Sequence, residues 1–464
     1  MALVKISPAL KEKISTAMTG NKSCIFAPVA VFYNGEGYRQ QWNTLVSFSI
    51  LQDFTGNIAD VIQGSILMHP KEIKALIPKM QDLHGSFTFT PMRAKDLTVA
   101  TESDMFIITG RILLDFKEDL NKLVGAYAYT HADDGSNEKI MTPDQAQAQY
   151  EVTFHVIEED VYTLRNTKMN AIIRDATPES VIHWVADRLG AESVSAITPD
   201  NKQKYNNMII PPLKGAQDIM PYLQQRYGVY SKGMGYYYTG KKMYIYPKSD
   251  QELSTSPVQT VVHLINVPQN NYIGANAYHN ELDQEIYIAA AGSPNTSTTT
   301  TEAVENNGNV HVSLQTDRIK DNLFTTSTNG TVTRNPNTLS TVTLQNTGAN
   351  MSQTTQKVVY DGELSNPYVS TSNMADTNMT LLTTSWIHAK PRLLEPGQTI
   401  YYHYDGPNGE YKIQQGRLQK VLYTSEPYAI AGMPTQSWFV FTAALEVRLV
   451  PDLISESEIQ TINT

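Results

Sequence analysis

Arg174-Asp175-Ala176-Thr177-Pro178-Glu179-Ser180-Val181-Ile182 opens the most readable part of this 464-residue chain, residues 161–247. Thr177 is placed to cap a helix whose first position is Pro178, where a missing amide hydrogen costs little. Val181, Trp184, Val185 and Leu189 then recur at helical spacing until Gly190. The run Met208-Ile209-Ile210 reads as a strand broken at Pro211-Pro212. Ala216, Ile219, Met220, Leu223 and Tyr227 mark a second apolar stripe, ended by Gly228. Proline inside a helix removes a hydrogen bond and clashes with the preceding turn. A short second helix capped by Asp218, with Pro221 in its first turn, is therefore expected. Tyr236-Tyr237-Tyr238 leads through Thr239-Gly240-Lys241 into Met243-Tyr244-Ile245-Tyr246, an aromatic hairpin.

Both flanks read as β. Residues 29–33, 45–51, 86–90 and 105–116 are strand candidates, 70–83 a helix, and 151–158 alternates with Val152, Phe154 and Val156 on one face. After residue 256, strands are expected at 258–267, 272–277, 285–290, 399–404, 411–424 and 437–449, with β structure resuming at Trp386. The last is the clearest, with Phe439, Phe441, Ala443, Leu445, Val447 and Leu449 on one face. About twelve residues at ~3.3 Å each span roughly 40 Å, long for a globular strand and suited to a tube wall. Residues 293–356 are dominated by Thr, Asn, Ser and Gly, and Val310, Val312, Leu314, Val342 and Leu344 keep only short alternation. That segment reads as an exposed insertion with weak β structure.

Composition narrows the function. A net charge of −10 argues against a general nucleic-acid-binding surface, which needs clustered cations. An excess of tyrosine (26) over phenylalanine (12) suits a mainly β protein with assembly surfaces. Cys24 is the only cysteine, so intrachain disulfides and thiolate metal clusters are excluded, and folding in a reducing cytoplasm is expected. The sequence has no apolar run of about 18 residues and no secretory h-region near Met1, so stable membrane insertion is not expected.

Four patterns together resemble a known family. These are the segment from Arg174 to Ile182, the stripe ending Tyr227-Gly228-Val229-Tyr230, the hairpin ending Met243-Tyr244-Ile245-Tyr246-Pro247, and Leu394-Glu395-Pro396-Gly397-Gln398-Thr399-Ile400-Tyr401-Tyr402-His403-Tyr404 followed by a strand through Gly416 and Tyr423. The chain resembles the baseplate hub proteins of tailed bacteriophages, related to hubs of contractile injection systems, over roughly residues 100–250 and 385–450. The resemblance implies a mainly β fold in which two tail-tube-like β-barrels flank a small α+β helix-helix-hairpin domain. The implied boundaries are 1–160, 161–250 and 251–464, the last carrying the insertion at about 293–356. It further implies a homotrimer of pseudo-sixfold symmetry, a symmetry adaptor between the hexameric tail tube or distal tail protein and the trimeric central spike. Baseplate wedge or peripheral proteins would surround it, and phage DNA would pass its lumen during genome ejection without specific binding. The expected location is the virion tail baseplate, after assembly in the host bacterial cytoplasm. A competing reading is a receptor- or glycan-binding tail protein that uses the tyrosine hairpin or the insertion.

The residues that could carry chemistry point elsewhere. His183 beside Trp184 and His403 between tyrosines read as packing or surface residues, since no His-Glu-x-x-His or His-x-His spacing occurs. Glu158-Glu159-Asp160 cannot converge on a strand and reads as a solvated strand end. Asp133-Asp134-Gly135 with Asn137 and Glu138 misses the spacing of a calcium loop. Gly20-Asn21-Lys22-Ser23 lacks a phosphate-loop core, Gly233-Met234-Gly235 lies between strands, and Cys24 has no evident activating base. No catalytic, cofactor-binding or metal residue is expected, and the chain is read as a structural protein, not an enzyme.

Overall fold

The computed structural model describes residues 25–42, 45–55, 58–92, 105–115, 149–248, 256–267, 279–282, 284–298, 311–315, 341–346, 354–358, 380–405, 411–428 and 438–454. The loop at 131–142, the residues 20–24 and the strand expected at 272–277 lie outside them. The fold is mainly β. The first part holds β1 (Ile25–Tyr33), β2 (Arg39–Trp42), β3 (Leu45–Asp53), β4 (Val61–Met68), helix α1 (Pro70–Leu76) with a 3-10 turn (Ile77–Asp82), β5 (His84–Met92), β6 (Phe106–Asp115) and β7 (Tyr150–Glu158). The middle part holds α2 (Glu159–Asn166), β8 (Lys168–Ala176), α3 (Pro178–Arg188), β9 (Ser193–Ala196), β10 (Tyr205–Gly215), α4 (Ala216–Arg226), β11 (Met234–Thr239) and β12 (Lys242–Pro247). The last part holds β13 (Val261–Val267), β14 (His279–Leu282), β15 (Glu285–Thr298), β16 (His311–Gln315), β17 (Thr341–Asn346), β18 (Thr354–Val358), β19 (Thr380–Trp386), β20 (Thr399–Asp405), β21 (Tyr411–Tyr428) and β22 (Trp438–Ile454).

Strand β22 carries the alternation read from its sequence, with Phe439, Phe441, Ala443, Leu445, Val447 and Leu449 all in the core. Its 17 residues pair antiparallel with the 18 of β21, forming a ribbon about 55 Å long. That length lets the ribbon pair with different neighbours at its two ends within one 14-stranded sheet. The first half of β21, from Tyr411 to Arg417, pairs with β20, while Lys420 to Thr424 pair with β3. On the other side Phe439 and Val440 pair with β1, and Ala443 to Leu449 pair with β19. One closed circuit therefore runs β22-β1-β5-β6-β7-β4-β3-β21, and a second runs β21-β20-β13-β15-β19-β22. The ribbon is their common wall.

The interior is continuous across that wall. In the first circuit Phe32, Phe48, Phe87, Phe89 and Phe154 interlock, with Phe87 stacked on Phe154 at 4.9 Å and Phe89 on Phe106 at 4.5 Å. Val262, Leu264, Ile288 and Leu382 from the second circuit belong to the same cluster. Strand β21 shifts register at Gln414/Gly416 and Leu418/Lys420, where it leaves β20 for β3. A Cβ at Gly416 would lie 2.7 Å from the Arg448 carbonyl oxygen, so this close approach admits only glycine.

The middle part packs as its sequence suggests, with two corrections. Strand β10 is not broken at Pro211-Pro212: it runs through both to Gly215, its register against β8 shifting between Ile210 and Lys214, where the prolines leave the ladder without amide donors. Thr177 caps α3 in a reciprocal box with Ser180, Pro178 stands at the first position, and Gly190 takes a φ of +70° beyond the end. Thr177→Ala should cost about 1 kcal/mol in equilibrium unfolding, while Thr177→Ser should cost much less. The second correction concerns α4, which starts at Ala216 rather than beyond an Asp218 cap and carries Pro221 as an interior residue. The Ala216 amide donates to the Thr167 carbonyl at 2.9 Å, and Ala216, Ile219, Met220 and Leu223 are all buried. Burying that stripe offsets the one helical bond lost at Pro221.

The tyrosine hairpin is filled from both sides. Its two-residue turn, Gly240-Lys241, has φ of +55° and +59°, the primed geometry that matches strand twist. Tyr236, Tyr238, Met243 and Ile245 face the helices, while Tyr237, Tyr244 and Tyr246 face the core of the fused circuits. Period-2 alternation here separates two cores rather than core from water.

Within the Thr/Asn-rich insertion, β16, β17 and β18 form an antiparallel sheet separate from the main one, with Val312 opposite Leu344 and Leu314 opposite Val342. Strand β15 runs on to Thr298, which faces Thr380 of β19 directly. Replacing residues 299–379 by a short Asn-Gly turn should leave both circuits folded. Circular dichroism and a melting temperature within a few degrees of the intact chain would bear this out, and an insoluble product would refute it.

Candidate functional site

The densest polar cluster lies where the circuits meet the middle part. Asp60, just before β4, is buried and accepts hydrogen bonds from Gln52 Nε2 (3.1 Å), Tyr237 Oη (2.7 Å), and Arg392 Nε (3.1 Å) and Nη2 (2.8 Å). The same Nη2 donates to Glu158 Oε2 at 2.7 Å. Arg392 adopts a left-handed φ of +61° in the loop between β19 and β20. Strands β3 and β7, the start of β4, the hairpin and the β19–β20 loop thus converge on one guanidinium. Burial alone would lower the Arg392 pKa, but Asp60 and Glu158 reverse this and hold it above its ordinary value. Burial raises Glu158, with Arg392 opposing. Burial and the Asp60 carboxylate push the Tyr237 hydroxyl well up, so it stays a donor.

Two further groups extend this junction. Glu395 accepts from Tyr244 Oη at 2.6 Å and lies 3.4 Å from Lys242 Nζ. Arg417, buried in β21, donates Nη1 to the Pro247 carbonyl at 2.9 Å and lies 5.4 Å from the Tyr246 ring centre. On the other face of β13 and β20, His263 Nδ1 and His403 Nε2 are 2.9 Å apart, and the His263 ring stacks on Tyr287 at 4.6 Å. Burial and the adjacent His263 hold His403 well below the usual imidazole range. Tyr287 Oη donates to Glu285.

These positions revise parts of the sequence reading. Glu158 is not a solvated strand end: its carboxylate is largely buried against Arg392. Glu159 pairs with Arg111 at 3.2 Å, and Asp160 accepts from the Val161 amide at 2.8 Å and the Lys241 amide at 3.2 Å. His183 is exposed on α3, and His403 is buried. Among the described residues no group of three or more His, Cys, Asp or Glu side chains could hold a metal ion. Asp60 and Arg392 escape the sequence reading because neither belongs to a motif, and Arg417 enters it only as part of the strand from Gly416 to Tyr423. Tyr237 and Tyr244 belong to the aromatic hairpin that did stand out, and the phenols are its link to both acids.

Groups aimed at other parts of the same chain make this cluster a clamp inside a mainly β scaffold. The chain belongs to the family described as Bacteriophage PBS1 gene 109 protein, whose model matches residues 69–385. Its structure is similar to the tail protein from Neisseria meningitidis MC58, at 11% identity and a TM-score of 0.43, covering 91% of this chain and 96% of that one. It is also similar to the 43 kDa tail protein of prophage MuSo2 from Shewanella oneidensis, at 10% identity and a TM-score of 0.41, covering 90% and 95%. A third is an E. coli component of the type VI secretion system, at 10% identity and a TM-score of 0.37, covering 92% and 77%. No curated protein matches the sequence.

Proposed function

We propose that this chain is a non-enzymatic structural protein of a bacteriophage tail baseplate, a hub that joins the hexameric tail tube to the trimeric central spike. The observation that carries this reading is the β21–β22 ribbon, which fuses two closed strand circuits into one body. Two such circuits per subunit give three subunits six tube-wall units, the count a hexameric tube presents. The middle part would buttress the ring from outside, and neighbouring baseplate proteins would attach around it. At −10 per chain, three chains carry 3 × −10 = −30, which suits a lumen that lets phage DNA slide without binding it. The competing glycan-binding role is weakened at the hairpin, because Tyr237, Tyr238, Tyr244 and Tyr246 are spent on internal packing. A mass measurement across a concentration series, with and without the spike, should find a trimer. Labelled chains should appear at the distal end of the tube in images of assembled particles. A label elsewhere on the virion would overturn the assignment.

A further inference from the structure

Among the described residues, the two-stranded ribbon of β8 and β10 has one edge closed and one open. Ile209 in β10 donates its amide to Tyr227 Oη at 2.6 Å, and its carbonyl accepts from Tyr222 Oη at 2.9 Å. Both groups point away from β8, so the facing residues Ile209 and Ile172 form a non-hydrogen-bonded pair. The alternation of an antiparallel ladder then turns the amides and carbonyls of Ile172 and Arg174 outward, along the far edge of β8. Among the described residues no strand pairs with that edge. Folded proteins usually cover, bulge or charge such an edge, as the tyrosine hydroxyls do for β10.

The side chains on this ribbon say what would fit. Lys168, Asn170, Ile172 and Arg174 share the exposed face of β8, while Met169, Ala171 and Ile173 pack toward the helices. Ile172 is 67% exposed and Ile209 opposite it 48%, an apolar pair set between two cations. The surrounding part is basic within an acidic chain: residues 161–250 hold 12 Lys and Arg against 7 Asp and Glu.

We propose that the outer edge of β8 is a docking site for an extended strand of a partner protein. That strand would place an apolar residue opposite Ile172 and acidic residues opposite Lys168 and Arg174. Main-chain hydrogen bonds to Ile172 and Arg174 would supply affinity, and the alternate side chains would supply selection. The inference does not depend on the hub reading, since it concerns the ribbon alone.

The test uses the full chain and a labelled peptide, acetyl-Thr-Glu-Thr-Ile-Thr-Thr-Thr-Glu-Thr-amide, whose alternate residues meet Arg174, Ile172, Asn170 and Lys168 in antiparallel register. Saturable binding at low salt should slow hydrogen exchange at the Ile172 and Arg174 amides. Lys168→Glu with Arg174→Glu should weaken it by about tenfold or more, as should exchanging both peptide glutamates for lysine. Both substituted side chains are exposed, so the variant should keep the native circular dichroism spectrum. No binding at millimolar peptide, equal affinity for the variant, or binding without protection of those two amides would overturn the proposal. Self-association through Ile172, lost in Ile172→Lys, would assign the edge to a second copy and overturn it too.

Discussion

Leu445→Asp should unfold the whole assembly of strands, not one half of it. Leu445 is 1% exposed in β22, faces Val421 and Thr384 across its two neighbours, and sits in the wall that both circuits share. The substitution buries an unpaired carboxylate and leaves a void, costing about 3–5 kcal/mol or more. Typical domain stabilities are roughly 5–15 kcal/mol, so most or all of the margin is gone. The adjacent Glu446→Gln should stay within about 0.5 kcal/mol, because this half-exposed side chain only pairs with Lys420 at 3.5 Å. Denaturant unfolding of the two variants side by side is the measurement. Equal tolerance would mean that the register of β22 is wrong.

Arg392→Met should be nearly as severe, with a distinctive pH dependence. The change leaves Asp60 and Glu158 buried without their shared cation, at a cost of about 3–5 kcal/mol near neutral pH. Burial already raises Glu158, and removing Arg392 takes away the main opposing influence. A carboxyl whose folded pKa is raised adds stability below its unfolded pKa, and that contribution is lost as pH rises through the folded value. The penalty in Arg392→Met should therefore shrink between pH 7 and pH 5. Adding Asp60→Asn and Glu158→Gln should recover part of the loss and flatten the pH dependence. A penalty independent of pH would remove the electrostatic account and leave packing alone.

Local pattern was a good guide wherever a single face decided the outcome. Thr177-Pro178, the stripe of α3 and the alternation of β22 each reflect one neighbour, the adjacent turn or one core. Strand β4 is hard to read in the sequence because Gln63-Gly64-Ser65 interrupts its apolar residues, and Gly64 is there to let the Phe154 ring approach. Helix α2 is hidden in the sequence because its acidic first turn, Glu159-Asp160, also reads as a polar strand end. Propensity argues for Pro221 in a first turn, whereas the burial of Ala216 and Ile219 decides otherwise. Neither the shared wall nor the Asp60–Arg392–Glu158 junction could be read locally. Each joins residues hundreds of positions apart, and the ion pair leaves no periodic trace.

The shared wall also sets a timetable for synthesis. Leu51 in β3 finds its cross-strand partner at Leu422, and Phe26 in β1 finds its own at Phe439. At roughly 5–20 residues per second, translation from β3 to β21 takes on the order of 20–70 s, during which the N-terminal strands emerge without their closing partners. Their edges are open to pairing with any nascent neighbour on the same polysome. Contacts this distant in sequence also slow the final closure. Strands β21 and β22 thus complete a circuit whose other members are made hundreds of residues earlier, and premature termination anywhere before β21 leaves β1 and β3 without these partners.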